Sequence, residues 1–272
     1  MTKVWLITGA SRGLGRAIAQ RAARAGETVV ATARDPRTIA DLPHPLRLDV
    51  TDQASVHDAV ATAIDLHGHI DVLVNNAGHG LVGAVEELAD DELRAVWETN
   101  VLGVHRVTRA VLPHMRTRGR GHIVQMSSVG GVVGNPGHAA YASSKFALEG
   151  LSEALAGEVA PFGIGVTIVE PGPFRTEFAG SSMRYAAPID AYEATPAGTL
   201  RARFADQDGR QPNDPARAAD ILLDAVDSAE PPLRLPLGPE AVERIGQKLA
   251  RQREQLDVWA PAARDTAFEA AG

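Results

Sequence analysis

Thr8-Gly9-Ala10-Ser11-Arg12-Gly13-Leu14-Gly15 decides how this chain folds. The stretch follows a short apolar run, Val4 to Thr8, and opens a segment of helical period, Leu14 to Ala25. A strand that passes through glycines straight into a helix is the start of a strand–helix–strand unit. Gly9 permits a tight turn, Gly13 lets the backbone come close to a phosphate group, and Gly15 lets the helix pack near the sheet. The helix N-terminus then presents free N–H groups, which suit a pyrophosphate. The spacing is not the common G-x-G-x-x-G. Its place between a first strand and an amphipathic helix therefore carries the reading.

Outward from this turn the same alternation repeats. Short runs, several rich in Val and Ile, span Thr28 to Ala33, Leu46 to Val50, Ile70 to Asn75, His122 to Met126, Val166 to Val169 and Leu233 to Leu237. Longer segments between them, Asp52 to Leu66, Asp90 to Met115, Ala140 to Val159 and Asp214 to Val226, are long enough for helices. This predicts an α/β fold: one Rossmann-type, doubly wound parallel sheet of about seven strands, with helices on both faces. A chain of 272 residues suits one large domain, 1–272. Ligands of such sheets bind beyond the carboxyl ends of the strands. Residues 177–212 break the alternation. They read as an irregular segment, either a substrate lid or a disordered surface excursion. Val242, Ile245, Leu249 and Leu256 form one stripe of a C-terminal helix, 239–258, suited to the core or to a second subunit.

Composition narrows the partners. With 44% hydrophobic and 22% charged residues the chain is globular rather than disordered. A net charge of -7 argues against a nucleic-acid backbone. No apolar run is long enough to span a membrane, and the apolar run at the N-terminus is too short for a signal peptide. With no cysteine there is no disulfide or thiolate chemistry. The histidines have no metal-ligand spacing, so no metal is expected. A cytoplasmic protein is the simplest expectation.

Three features beyond the glycine turn bear on chemistry. In Tyr141-Ala142-Ser143-Ser144-Lys145, residues four apart share a helix face, so tyrosine and lysine point into one cleft. A nearby ammonium favours the phenolate, which would let Tyr141 exchange a proton near neutral pH. Ser128, just after the run ending at Met126, can hold a carbonyl oxygen; Ser127 is its rival but should face the other way. Asn75-Asn76-Ala77-Gly78 ends another strand at the same edge, as a turn or as a lining for an adenosine. The second strand ends in Ala33-Arg34-Asp35. Arg34, with Ser11 and Arg12, can receive a ribose 2′-phosphate. In the other reading Arg34 is a solvated loop residue and Asp35 holds the ribose.

Taken together, Thr8-Gly9-x-x-x-Gly13-x-Gly15, Asn75-Asn76-Ala77-Gly78, Asn100, Ser128, Tyr141-x-x-x-Lys145 and Pro171-Gly172 resemble the short-chain dehydrogenase/reductase family, in the family's order. The last third of the chain matches only in layout. The resemblance implies Tyr141 as acid/base, with Lys145 lowering its pKa and binding the nicotinamide ribose. It implies Ser128 as the group positioning the substrate oxygen, and Asn100 as fixing its helix and holding a water of a proton relay. Asp49 and Val50 would contact the adenine; Asn76, Ala77 and Gly78 would line the cofactor; Pro171, Gly172, Phe174 and Thr176 would frame the nicotinamide. Ala31 to Asp35 is similar to NADP-using hydroxysteroid dehydrogenases.

The expected function is NADP(H)-dependent interconversion of a carbonyl and an alcohol. NADP(H) is expected over NAD(H). The alternatives are another reaction on the same fold (enoyl reduction, dehydration or epimerisation) or a non-catalytic dinucleotide sensor. His79, Leu81, Val82 and His138 are candidates for the substrate pocket. Phe178, Met183, Tyr185 and Tyr192 suggest an apolar or aromatic small-molecule substrate. The resemblance also implies a homodimer or homotetramer, built through the helices Asp90 to Met115 and Ala140 to Val159.

Overall fold

The computed structural model describes residues 2–206, 208–266 and 268. Seven strands form one parallel sheet: β1 (Val4–Ile7), β2 (Thr28–Ala33), β3 (Leu46–Arg47), β4 (Val72–Asn75), β6 (Gly121–Met126), β7 (Ile164–Pro171) and β9 (Arg234–Leu237). Their order is β3-β2-β1-β4-β6-β7-β9. The chain thus winds outward from β1 in one direction, then crosses back through β4 and winds in the other. This is the expected doubly wound sheet, and its switch point lies between β1 and β4.

Strand alternation divides the core. On β1, Trp5 and Ile7 face a cluster with Ile18, Ala19 and Ala22 of α1 (Gly13–Arg24) and Ala219 and Leu222 of α7 (Pro215–Asp227). Val4 and Leu6 face the opposite cluster, with α2 (Gln53–His67), α4 (Val104–Arg118) and α5 (Ala139–Val159). A fully buried side chain such as Leu6 contributes about 1.5–3 kcal/mol by leaving water. Helix ends are set locally. Asp52 and Asp214 accept the backbone N–H two residues on, at 2.9 and 2.8 Å, and cap α2 and α7. Gly68, at φ 77°, ends α2 in the left-handed region that favours glycine.

The fold corrects the sequence in four places. The expected helix from Asp90 to Met115 is interrupted: α3 (Asp90–Trp97) runs into a π-helical turn, Glu98–Gly103, before α4. The cause is tertiary. Asn100 is drawn onto the backbone of His79, and a Cβ on Gly103 would stand 2.7 Å from Val50. Second, β3 stops at Arg47 rather than Val50, because Leu48 to Asp52 turns on the Asp49 carboxylate, which accepts Thr51 N and Thr51 Oγ1.

Third, 177–212 is not irregular. It holds β8 (Met183–Tyr185), which pairs in parallel with β5 (Gly80–Val82), and α6 (Pro196–Asp206). The segment is tied down by Glu87, whose carboxylate is closed from solvent. That carboxylate accepts Ala84 N and Ile189 N at 2.7 and 2.8 Å and pairs with Arg201 of α6. Fourth, the C-terminal helix α8 runs further than expected, Pro239–Arg264. Its Ile245 is buried while Val242, Leu249 and Leu256 are exposed, so of the expected stripe only Ile245 packs on the core.

Candidate active site

One cavity of about 1120 Å³ lies along the carboxyl ends of β1, β2, β4, β6 and β7. It exceeds the roughly 300–1,000 Å³ of an ordinary small-ligand pocket. At one end is the glycine turn. Gly9 and Gly13 have φ of 66° and 59°, a conformation that side chains resist. A Cβ on Gly9 would meet the Ala77 Cα at 2.8 Å. Asn76 Nδ2 donates to Thr8 O and Gly9 O, both at 3.0 Å, while Thr8 Oγ1 accepts Asn76 N and Ala77 N. The turn after β4 is therefore a brace for the turn after β1. Ser11, Arg12, Gly13 and Leu14 line the cavity beside it. No side chain caps the α1 N-terminus, and its first turn holds no acid. Gly15 does not line the cavity; a Cβ there would collide with the Asn76 amide.

At the end of β2, Asp35 is already engaged. Its carboxylate accepts Arg37 N at 3.0 Å and pairs with the Arg37 guanidinium at 2.7 Å, which holds it below the usual carboxylate range. Arg34 lines the cavity and is in no ion pair among the described residues. Asp49 and Val50 line it nearby.

At the other end Tyr141, Lys145 and Ser128 share the wall. Both Tyr141 and Lys145 rise from the first two turns of α5, as their spacing requires. The Lys145 Nζ lies 5.7 Å from the Tyr141 ring centre and donates to Met126 O at 2.6 Å. Ser128 caps a short turn by accepting Gly130 N at 3.0 Å. Ser127 also borders the cavity, but its hydroxyl lies toward Gly131 and Glu149. Asn100 is wholly buried behind Gly78 rather than in the wall. Its amide donates to His79 O and Ser144 Oγ and accepts His79 N. Pro171, Gly172, Phe174 and Thr176 carry the wall on from β7, and Thr176 faces Gly13.

A family model described as short chain dehydrogenase matches residues 3–185. The chain belongs to the short-chain dehydrogenase family. It is 45% identical over 255 residues to oxidoreductase BOA17 of Botryotinia fuckeliana, covering 91% of this chain and 93% of that protein. A short-chain dehydrogenase from Streptomyces avermitilis superposes with a TM-score of 0.92 at 44% identity, over 98% of this chain and 100% of that one. Two more distant structures hold cofactors. One from Burkholderia phymatum is in complex with NAD, with a TM-score of 0.76, 26% identity and 92% and 95% coverage of the two chains. One from Burkholderia cenocepacia is in complex with NADP, with a TM-score of 0.74, 27% identity and 94% and 96% coverage. The protein is thus an NAD(P)-dependent oxidoreductase of this family acting on CH–OH groups. The cavity fits such a dinucleotide. The cradle between Gly9 and Ala77 has no room for a side chain, and the cavity runs unbroken from there to Lys145.

For a short-chain dehydrogenase the electrostatics differ from the sequence expectation. Burial pushes Tyr141 up to about 12, with Ser128 opposing it. Burial also pulls Lys145 down to about 8, against the neighbouring Glu149. Desolvation, not the ammonium, dominates both groups here.

The substrate end also differs from the expectation. Of the expected lid aromatics only Phe178 lines the cavity. Met183 is buried against Gly80, Tyr185 is exposed, and Tyr192 Oη donates to Glu86. Leu81 and Val82 are buried in β5 rather than on the wall, whereas His79 and His138 do line it. Phe204, Arg203, Arg244 and Gln211 also line it and carried no motif. The helical start Thr195-Pro196 was the one signal available: Thr195 Oγ1 accepts Ala197 N at 3.2 Å and opens α6.

Proposed function

We propose that this enzyme is NADP(H)-dependent and interconverts a ketone or aldehyde with the alcohol, with Tyr141 as general acid/base. The observation that carries the reading is that Tyr141, Ser128 and Lys145 open on the same cavity as the glycine turn. When bound, the dinucleotide supplies or accepts the hydride. In reduction, charge develops on the carbonyl oxygen. Ser128 and Tyr141 donate to it there, and Tyr141 Oη delivers the proton. Lys145 holds the nicotinamide ribose and favours the phenolate as the proton leaves. Asn100 is a positioning residue: it fixes the π-turn and, through His79, the Asn76-Ala77-Gly78 edge.

Gly9, Gly13 and Leu14 form the pyrophosphate cradle, Gly15 lets α1 pack close enough to build it, and Ser11 and Arg12 help Arg34 to meet the 2′-phosphate. Asp49 and Val50 hold the adenine. Pro171, Gly172, Phe174 and Thr176 frame the nicotinamide. NADP(H) is favoured because Asp35 is committed to Arg37, while Arg34 is free to meet a 2′-phosphate. The test is steady-state kinetics with both cofactors on a panel of carbonyl compounds. A lower KM for NADPH is expected; a clear preference for NADH overturns the assignment.

The chain acts as one domain, 1–272, with 177–212 as its substrate lid. Trp97, Leu102 and Phe146 are exposed on α3, the π-turn and α5, which supports a homodimer or homotetramer through that face. Light scattering at micromolar concentration tests it, and a monomer there overturns it. Its location is cytoplasmic, in keeping with a chain without cysteine and with no described helix long and apolar enough to cross a membrane.

A further inference from the structure

Beyond Tyr141 the cavity ends in a chamber between the start of α5, α6 and the start of α8. Its near walls are apolar or neutral. The His138 ring stacks on Tyr141 at 4.7 Å between centres, Phe204 follows at 5.1 Å from His138, and Phe178 lies 5.4 Å from Tyr141. His138 is buried and held down to about 4 by that burial, so it is uncharged at neutral pH.

The far end is cationic. Arg203 of α6 and Arg244 of α8 both line the chamber. Arg244 is held below the usual guanidinium range by burial first and then by the charge of Arg203, which lines the same chamber. Neither is in an ion pair among the described residues. Among the described residues the acid on this wall is Glu240, one turn before Arg244, and it turns aside to accept Asn213 Nδ2 at 2.9 Å. Arg244 itself is aimed by a hydrogen bond from Nη2 to Asn135 Oδ1 at 2.6 Å. Two guanidiniums in one chamber, at the end of an apolar passage and with the acid of that wall turned onto Asn213, are complementary to an anion.

We propose that the substrate carries an oxyanion, a carboxylate or a phosphate, on an apolar body, and that Arg203 and Arg244 hold that group while its carbonyl lies at Tyr141. This rests on the reading of Tyr141 as the acid/base. In reduction the carbonyl carbon gains a hydride from NADPH and the oxygen gains the Tyr141 proton; the oxyanion end is unchanged. The aromatic passage between the two ends selects a spacer, so the carbonyl and the anion are not adjacent.

The test compares a long-chain methyl ketone ending in a carboxylate, the same ketone ending in a phosphate, and the carboxylate's methyl ester. A charged hydrogen-bond partner is worth roughly a 10–100-fold change in kcat/KM, so one of the two anions should exceed the ester by about that factor. The ratio of anion to ester should shrink in Arg203→Gln, which lies on the exposed side of α6, and fall to one in Arg203→Gln/Arg244→Gln, whatever the double variant does to the ester rate itself. Calorimetry with a saturated fatty carboxylate and its primary amide reads the clamp without turnover, and the carboxylate should bind more tightly. Equal kcat/KM for all three ketones, or equal binding of carboxylate and amide, overturns the clamp alone. No turnover of any ketone with either cofactor overturns the Tyr141 reading and the substrate class with it.

Discussion

The two ends of the cavity are built differently. The strand-end half is held by the sheet itself: Thr8 and Asn76 join the turns after β1 and β4, and Asn100 joins the π-turn to His79. The outer wall, formed by β8, α6 and the start of α8, is fastened by the three-residue pairing of β8 with β5 and by side-chain links far apart in the chain: Glu87 with Arg201, Arg12 with Ser182 and Arg244 with Asn135. Reacting groups need positions fixed to a fraction of an ångström, and sheet-end backbone supplies that. A wall held by one short strand pair and a few polar links opens at lower cost than the seven-stranded sheet, as a lid that admits substrate must. Chemistry and substrate choice therefore sit on separately stabilised parts, and variants in one should leave the other largely intact.

The sharpest test lies in the rigid half. Tyr141→Phe keeps the ring that packs on His138 and Phe178 but removes the proton, so kcat should fall by about 10²–10⁴. Dinucleotide affinity, read by fluorescence titration, should stay as in the wild type. Wild-type turnover would remove Tyr141 from the chemistry. Next in size is Arg34→Ala at the cofactor end. Loss of one charged hydrogen-bond partner is worth about 1.5–3 kcal/mol. KM for NADPH should therefore rise roughly 10–100-fold while KM for NADH barely moves. An equal rise for both would make Arg34 a structural residue.

The same division explains what was legible in the sequence. The glycine turn, the Tyr141–Lys145 pair and the strand-end position of Ser128 follow from local rules: φ preference, a four-residue helical repeat and strand alternation. The break at Glu98–Gly103 does not, because the pull on Asn100 comes from His79, in a different element. Nor do β5 and β8, each three residues long and each defined only by a partner about a hundred positions away. Tyr185 and Tyr192 share the composition of pocket aromatics, yet β8 turns the first outward and Glu86 takes the second. Arg244 could not be tied to Tyr141 at all, since only the docking of α8 beside Asn135 brings it there.

The outer wall should respond to acid through Glu87. Hydrogen bonds from Ile189 N and Ala84 N and the Arg201 charge outweigh burial and hold Glu87 below the ordinary carboxylate value. A depressed carboxylate stabilises the fold fully above its unfolded value of about 4.3 and loses that contribution as pH falls through its folded value. Limited proteolysis of 190–206 should therefore accelerate in acid in the wild type. In Glu87→Gln, cleavage should be about 10–100-fold faster already at neutral pH, from the loss of a charged partner, and should show no further acid step. Tyr141 chemistry on a small neutral ketone should persist. If turnover of that ketone falls as far as in Tyr141→Phe, the two halves are not separately stabilised.

The smallest effect is expected where the halves touch. Arg12 of the glycine turn donates from Nε to Ser182 Oγ at 2.9 Å, the one side-chain bond between the turn and the lid among the described residues. Both groups are reached by water, so Ser182→Ala leaves no buried donor stranded and should cost no more than about 1 kcal/mol. That cost should fall on orientation of the Arg12 guanidinium rather than on folding. KM for NADPH should rise about fivefold, with kcat, Tm and KM for NADH unchanged. A fall in kcat instead would mean that the lid reaches the chemistry through this one bond. The boundary between the two parts would then run outside Ser182 rather than through it, and the lid's inner edge would belong to the rigid half.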